Sequence, residues 1–233
     1  MSRDVVAVDG PAASGKSTTA RSVARRLGFR HLSSGRLYRA VAWEAARRGW
    51  GGGTGEVPAD DELQRRLEAL DLELVPDGSG FRVLVDGQEP GDALHTPEVG
   101  EWTSRLSARC PVREAVTRRL REAGRRHRMV CDGRDIGTVV FPDAELKVFL
   151  TAEPAERARR RLVDHGREPT EQRIRREAER LRRRDRRDAG RSLSPLRRAD
   201  DALEVDTTDL SRDEVVDRIV EAARARGLSA REA

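Results

Sequence analysis

The sequence predicts an α/β fold of three layers, α/β/α, around a central parallel sheet. Short apolar segments of strand type alternate with amphipathic helical patterns along most of the chain. A glycine-rich loop joins the first such strand to the first helix, and one central stretch breaks the alternation by reading as an antiparallel hairpin. The length of 233 residues exceeds one typical domain and falls short of two, which suits one body carrying an inserted lobe.

Residues 4–8, DVVAV, are apolar and largely β-branched, so they read as a strand. GPAASGKST follows, and then a helix patterned by Ala20, Val23, Ala24 and Leu27. A second helix is expected from the cap signal at Ser33-Ser34 to Arg48, ending in WGGGTGEVPADD, where glycine and proline preclude regular structure. Helical spacing runs from Asp61 to Leu70, after which LELVPDGSGFRVLVDG alternates around the turn signal Asp77-Gly78. Helices are expected near Pro97–Ala108 and Val112–Arg126. Strand character resumes at MVCD, Met129–Asp132, at LKVFL, Leu146–Leu150, and at ALEVD, Ala202–Asp206, before a closing helix from Ser211 to Arg226. The inserted lobe, centred on residues of about 60 to 95, is placed at 51–110; residues 1–50, 111–155 and 193–233 are assigned to the core, and 156–192 to a separate helical segment.

Hydrophobic residues make up 36% and charged residues 37%, a polar balance that still allows a core. The apolar runs are far shorter than the roughly 20 residues a membrane span needs, and the N-terminus lacks a secretory pattern. Two cysteines cannot make a disulfide framework, so a cytoplasmic location is expected. The net charge of +5 favours anionic ligands. Arginine supplies 44 of the 46 basic residues; lysine occurs only at Lys16 and Lys147, and asparagine is absent. A lysine retained against such a bias is expected to do something arginine cannot.

Gly10-Pro11-Ala12-Ala13-Ser14-Gly15-Lys16-Ser17 fits G-x-x-x-x-G-K-[ST] without a mismatch, between a strand and a helix as the motif demands. Glycines let successive N–H groups turn toward phosphate oxygens, and the helix that follows adds the positive end of its dipole. Lys16 contributes a compact charge and Ser17 a hydroxyl for Mg²⁺, so residues 10–18, through Thr18, are expected to hold a triphosphate. The fold expectation sharpens to a P-loop NTPase type. A GTPase of this type needs N-K-x-D, which a chain without asparagine cannot contain, and motor or transporter ATPases need a longer core; a small-molecule kinase fits.

Asp132-Gly133-Arg134-Asp135 closes the MVC strand at the sheet edge where open α/β folds bind ligands, and Asp132 is placed to hold Mg²⁺ or its water shell. Between Thr170 and Ala189 lies a charged helix; ten arginines fall between Arg173 and Arg191, and Glu171/Arg175 and Glu179/Arg183 form (i, i+4) pairs suited to a solvated surface. On that helix Arg184 and Asp188 lie within roughly 60° of the apolar stripe Ile174, Ala178, Leu181, so the inward face becomes charged toward its end.

Three stretches, DGPAASGKSTTARSVARRLGFRHLSSGRLYRAV, CDGRDIGTVVFPDAELKVFLTAEPAERARRR and RRDRRDAGRSLSPLRRADDALEVDTTDLS, resemble the cytidylate kinase family in content and order, from about Val5 to the last helix. GRDIGTVVFPDA, Gly133–Ala144, is the most specific of them. The resemblance implies reversible transfer of the γ-phosphoryl of ATP to CMP or dCMP with Mg²⁺. It implies that Arg39, Arg134 and Arg191 grip the CMP phosphate. Cytosine would be read by Ser104, Arg113 and Asp135, and the sugar by Arg184 and Asp188. Ser34 and Tyr38 would line the acceptor pocket, Arg160 and Arg161 would act from the lid side, and Lys16, Asp132, Arg134, Arg161 and Arg191 would serve the chemical step. The hairpin insert becomes a monophosphate-binding lobe, and the segment around Arg160–Arg191 a lid that orders over ATP. Ser33 stands where the family usually has Asp, and the linker GWGGGTGE is unusually glycine-rich. The expected partners are nucleotides, with no nucleic acid, no membrane and a monomeric state. The rival readings are a kinase that also accepts UMP and an RNA-associated ATPase, the latter disfavoured by only eight aromatic residues and no RNA-binding motif.

Overall fold

The computed structural model describes residues 4–52 and 56–229. In chain order its elements are β1 (Val5–Asp9), α1 (Lys16–Leu27), β2 (Arg30–Ser33), α2 (Ser34–Arg47), α3 (Asp60–Glu68), β3 (Leu72–Asp77), β4 (Gly80–Val85), α4 (Pro97–Leu106) and α5 (Cys110–Arg126). There follow β5 (Met129–Asp132), β6 (Leu146–Thr151), α6 (Pro154–Asp164), α7 (Glu171–Ala189), β7 (Leu203–Asp206) and α8 (Arg212–Arg224), with a short 3₁₀ turn at Gly91–His95 and a π-helical turn at Ile136–Val140. The chain forms two compact units, one built from the residues up to Phe29 and from Arg128 onward, the other from Arg30 to His127.

In the first unit four strands pair in the order β5-β1-β6-β7, all parallel. Val6 stands opposite Val130 on one side and Leu146 on the other. All five residues of β1 are buried, as a strand flanked on both edges and covered on both faces requires. Val23 and Leu27 of α1 and Val216, Ile219 and Val220 of α8 pack on Val6, Val8, Val130 and Val148 in one cluster. Each such fully buried side chain contributes about 1.5–3 kcal/mol. The expected closing helix begins at a capping box, in which Ser211 accepts from the Glu214 amide while the Glu214 side chain accepts from the Ser211 N–H.

The second unit holds the expected hairpin as β3 and β4, with Leu72 opposite Val85 and Asp77 opposite Gly80, so the turn is Gly78-Ser79. Phe81, Val83 and Val85 alternate into the core, as strand period requires. Leu37 and Val41 of α2, Leu63 of α3, Leu106 of α4 and Val116 and Leu120 of α5 are buried. Thr96 caps α4, its hydroxyl accepting from the Val99 amide at 3.3 Å, with Pro97 at the first helical position. Glu44 on α2 is fully buried and engages Arg47 and Arg48, a charge neutralised within one turn. Residues 53–55 of the glycine-rich linker lie outside the described residues. Among the described residues no helix is long and apolar enough to cross a membrane. The α/β class, the parallel sheet and the antiparallel pair are as the sequence predicts; β2 and the π turn are additions to it.

Candidate active site

The phosphate loop fills the turn between β1 and α1. Gly10 opens it at φ 149°, and a Cβ there would stand 2.1 Å from the Leu150 carbonyl oxygen, so only glycine lets the loop leave β1 this close to β6. Lys16, the first residue of α1, is 8% exposed; its Nζ donates to the Pro11 carbonyl at 2.6 Å and to Ser14 Oγ at 3.3 Å. Burial lowers its pKa to about 7, with Arg134 and Arg184 pushing in the same direction and Asp132 and Asp9 opposing them. Ser17 Oγ donates to Asp132 Oδ2 at 2.7 Å, which brings the two expected metal-side groups together.

Residues 13–19 line a cavity of about 450 Å³ together with Arg160, Asp164, Thr207 and Arg212. Arg160 is fixed there by Thr207, donating to its Oγ1 at 2.9 Å and its carbonyl at 2.6 Å, and by Glu156 on its own helix at 3.0 Å. Arg160, expected from the resemblance to act from the lid side, thus stands at the cavity that the phosphate loop lines. Arg161, on the same helix, instead pairs with Glu177 of α7 at 2.9 Å.

The Gly133–Gly137 stretch is anchored from β1. Asp9 accepts the amides of Ile136 at 2.8 Å and Gly137 at 2.7 Å; burial raises its pKa to about 6 against those two hydrogen bonds. A Cβ on Gly137 would meet Lys147 Cγ at 3.1 Å and Asp9 Oδ2 at 3.4 Å. The second lysine thus serves packing: its slim stem runs beside Gly137 and its ammonium reaches Asp201 at 2.8 Å. Asp188 is 3% exposed and holds two arginines, Arg134 at 2.5 Å and Arg191 at 2.7 Å. The charged end of the α7 stripe, read from helical phase, therefore faces inward. Asp135 is buried, and Arg184 is close enough for its charge to act on Lys16.

The remaining assigned residues belong to the second unit. Ser34 is buried at the start of α2. One turn on, Arg39 donates to the Leu94 carbonyl at 3.0 Å. The buried Arg113 donates to the Ser107 carbonyl at 2.9 Å and lies 5.6 Å from the centre of the Tyr38 ring, a cation–π contact that holds both. Ser104 is exposed on α4.

Sequence reasoning missed Asp9, Arg157, Asp185 and Thr207. Arg157 offered a signal, since it shares the buried face of α6 with Ala158 and Leu162. Asp185 offered almost none inside an arginine run.

Residues 6–225 match the family model described as Cytidylate kinase. The cytidylate kinase of Geobacter sp. (strain M21) is 39% identical over 215 residues, covering 91% of this chain and 89% of that protein. That of Bacillus subtilis (strain 168) is 38% identical, covering 93% and 95%. A bifunctional pantoate ligase/cytidylate kinase of Synechococcus sp. (strain JA-2-3B'a(2-13)) is 44% identical over 94% of this chain, which spans only 40% of that longer protein. With the family model spanning nearly the whole chain and these relatives near 40% identity, the chain belongs to the cytidylate kinase family and is a nucleoside monophosphate kinase.

Proposed function

We propose that the chain transfers the γ-phosphoryl group of ATP to CMP or dCMP, giving ADP and CDP or dCDP. The observation that carries this reading is the phosphate loop with a buried Lys16, sharing its cavity with Arg160, in a unit where Asp188 also gathers Arg134 and Arg191. A monophosphate acceptor is already anionic at neutral pH, so no general base is needed. The enzyme must align two polyanions and spread the charge that repels them. Planar guanidinium forks suit that task because they engage phosphate oxygens bidentately.

We assign the triphosphate to residues 10–18 with Arg160. By the family resemblance CMP is assigned to Ser34, Tyr38, Arg39, Ser104, Arg113, Arg134, Asp135, Arg184, Asp188 and Arg191. Arg161 and the α6–α7 segment are assigned to lid closure. Ser17 and Asp132 fit Mg²⁺: they present hard oxygen donors already within 2.7 Å of one another. Water and nucleotide phosphates would complete the coordination of such an ion. When bound, Mg²⁺ would neutralise charge on the phosphates.

Coupled measurement of ADP release with CMP, dCMP, UMP, AMP and GMP tests the substrate. Fastest turnover is expected with CMP or dCMP; fastest turnover with AMP or GMP overturns the assignment, and equal rates with UMP broaden it.

A further inference from the structure

The phosphate loop is tied at one residue to two helices. The N–H of Ala12 donates to Asp185 Oδ1 of α7 at 3.3 Å, and its carbonyl accepts from Arg157 Nη1 of α6 at 3.0 Å. The same Nη1 donates to Asp185 Oδ2 at 2.6 Å, and Arg157 Nε donates to the Ala152 carbonyl at 3.0 Å. Arg157 is 5% exposed, so this is not a surface pair: a guanidinium taken out of water needs its carboxylate and carbonyl partners. Ala12 also packs with Ala158 of α6 and Ala178 and Leu181 of α7, which makes the junction dry as well as charged.

The neighbouring residue shows what such fixation accomplishes. Ala13 holds φ 60°, a left-handed conformation in which a Cβ crowds the following carbonyl oxygen. Strained backbone persists only where its surroundings over-determine it. Ala12, fixed through both its N–H and its carbonyl, supplies that constraint to the loop. Sequence spacing extends the effect along the helices. Arg160 lies one turn beyond Arg157, Arg184 immediately precedes Asp185, and Asp188 follows one turn later.

We propose that Arg157 and Asp185 are positioning residues: their clasp on Ala12 sets the register of α6 and α7 against the phosphate loop, so that Arg160, Arg184 and Asp188 are held where phosphoryl transfer needs them. Neither residue is required to touch a nucleotide. The proposal rests on the kinase reading above, and its test separates the two.

Asp185→Asn, Arg157→Lys and the double variant are compared with the wild-type protein by steady-state kinetics with ATP and CMP varied. Rates are taken at a temperature where circular-dichroism melts show each variant folded. Each single change is expected to lower kcat by about 10- to 100-fold, the scale of a small misalignment, and by more than it changes either KM. The double variant is expected to be no worse than the worse single one, because both act as one unit. Wild-type kcat in folded Asp185→Asn, losses that multiply in the double variant, or losses that follow the folded fraction would each overturn the clasp. So would failure of both single variants to fold, since the pair would then be a structural requirement alone. A wild-type protein inactive on CMP strikes the kinase reading instead.

Discussion

The two units hold their arginines with overlapping sets of groups, and the emphasis differs at the assigned site residues. In the first, the guanidinium groups of interest are fixed by carboxylates: Arg134 and Arg191 by Asp188, Arg157 by Asp185, Arg160 by Glu156 and Arg161 by Glu177. In the second, Glu44 holds Arg47 and Arg48 in the same way, while Arg39 and Arg113 also donate to main-chain carbonyls and Arg113 lies over an aromatic face. A carboxylate can be exchanged by mutation, whereas a carbonyl moves only with its backbone. Loss of one carboxylate therefore releases both Arg134 and Arg191, whereas the Tyr38 contact is lost only by changing Arg113 or Tyr38 itself.

The largest effect belongs to the lysine at the centre of the first unit. Lys16→Ala is expected to cut turnover by at least about 10³-fold while thermal unfolding stays cooperative, because only a positioned charge is removed. Substantial remaining activity in the coupled assay contradicts its role. Next, Asp188→Ala leaves Arg134 and Arg191 without their shared carboxylate. The KM for CMP is expected to rise about 10- to 100-fold with that for ATP changed less than about threefold, and equal changes would show that Asp188 serves both nucleotides. The contrast is sharpened by Arg113→Lys in the second unit, which retains charge but loses the planar stacking on Tyr38. It is expected to raise the KM for CMP by about tenfold or less and to leave ATP affinity, read by calorimetry, unchanged.

A smaller effect follows from the lowered pKa of Lys16. With a pKa near 7 in the free protein, the side chain is charged below pH 7 and increasingly neutral above it. A bound triphosphate favours the ammonium form and raises that pKa, so ATP affinity should weaken as pH rises through 7. At pH 8 binding should take up to about one proton, measured by calorimetry in buffers of different ionisation enthalpy. No proton uptake in wild type, or equal uptake in Lys16→Ala, contradicts this.

The phosphate loop was legible in the sequence because its chemistry is local: eight consecutive residues form the cradle, and the strand and helix beside it confirm the motif. The charged end of the α7 stripe was legible from helical phase alone, and Asp188 does face inward. The Arg157–Asp185 pair was not, since its members are 28 residues apart and meet only after α6 packs on α7. Composition marked both lysines for chemistry, yet Lys147 turns out to owe its place to the narrow space beside Gly137, a contact no linear pattern encodes. The strand β2 escaped notice because RHLS, four residues long, offers a single apolar side chain, Leu32.

The most direct test of the account follows the phosphoryl group itself. Wild-type protein is incubated with γ-labelled ATP, Mg²⁺ and CMP, and the products are separated by chromatography. Label is expected in CDP, with almost none released as free phosphate and almost no ADP formed when CMP is left out. Label appearing as free phosphate at the same rate with or without CMP would contradict the assignment of a cytidine monophosphate acceptor.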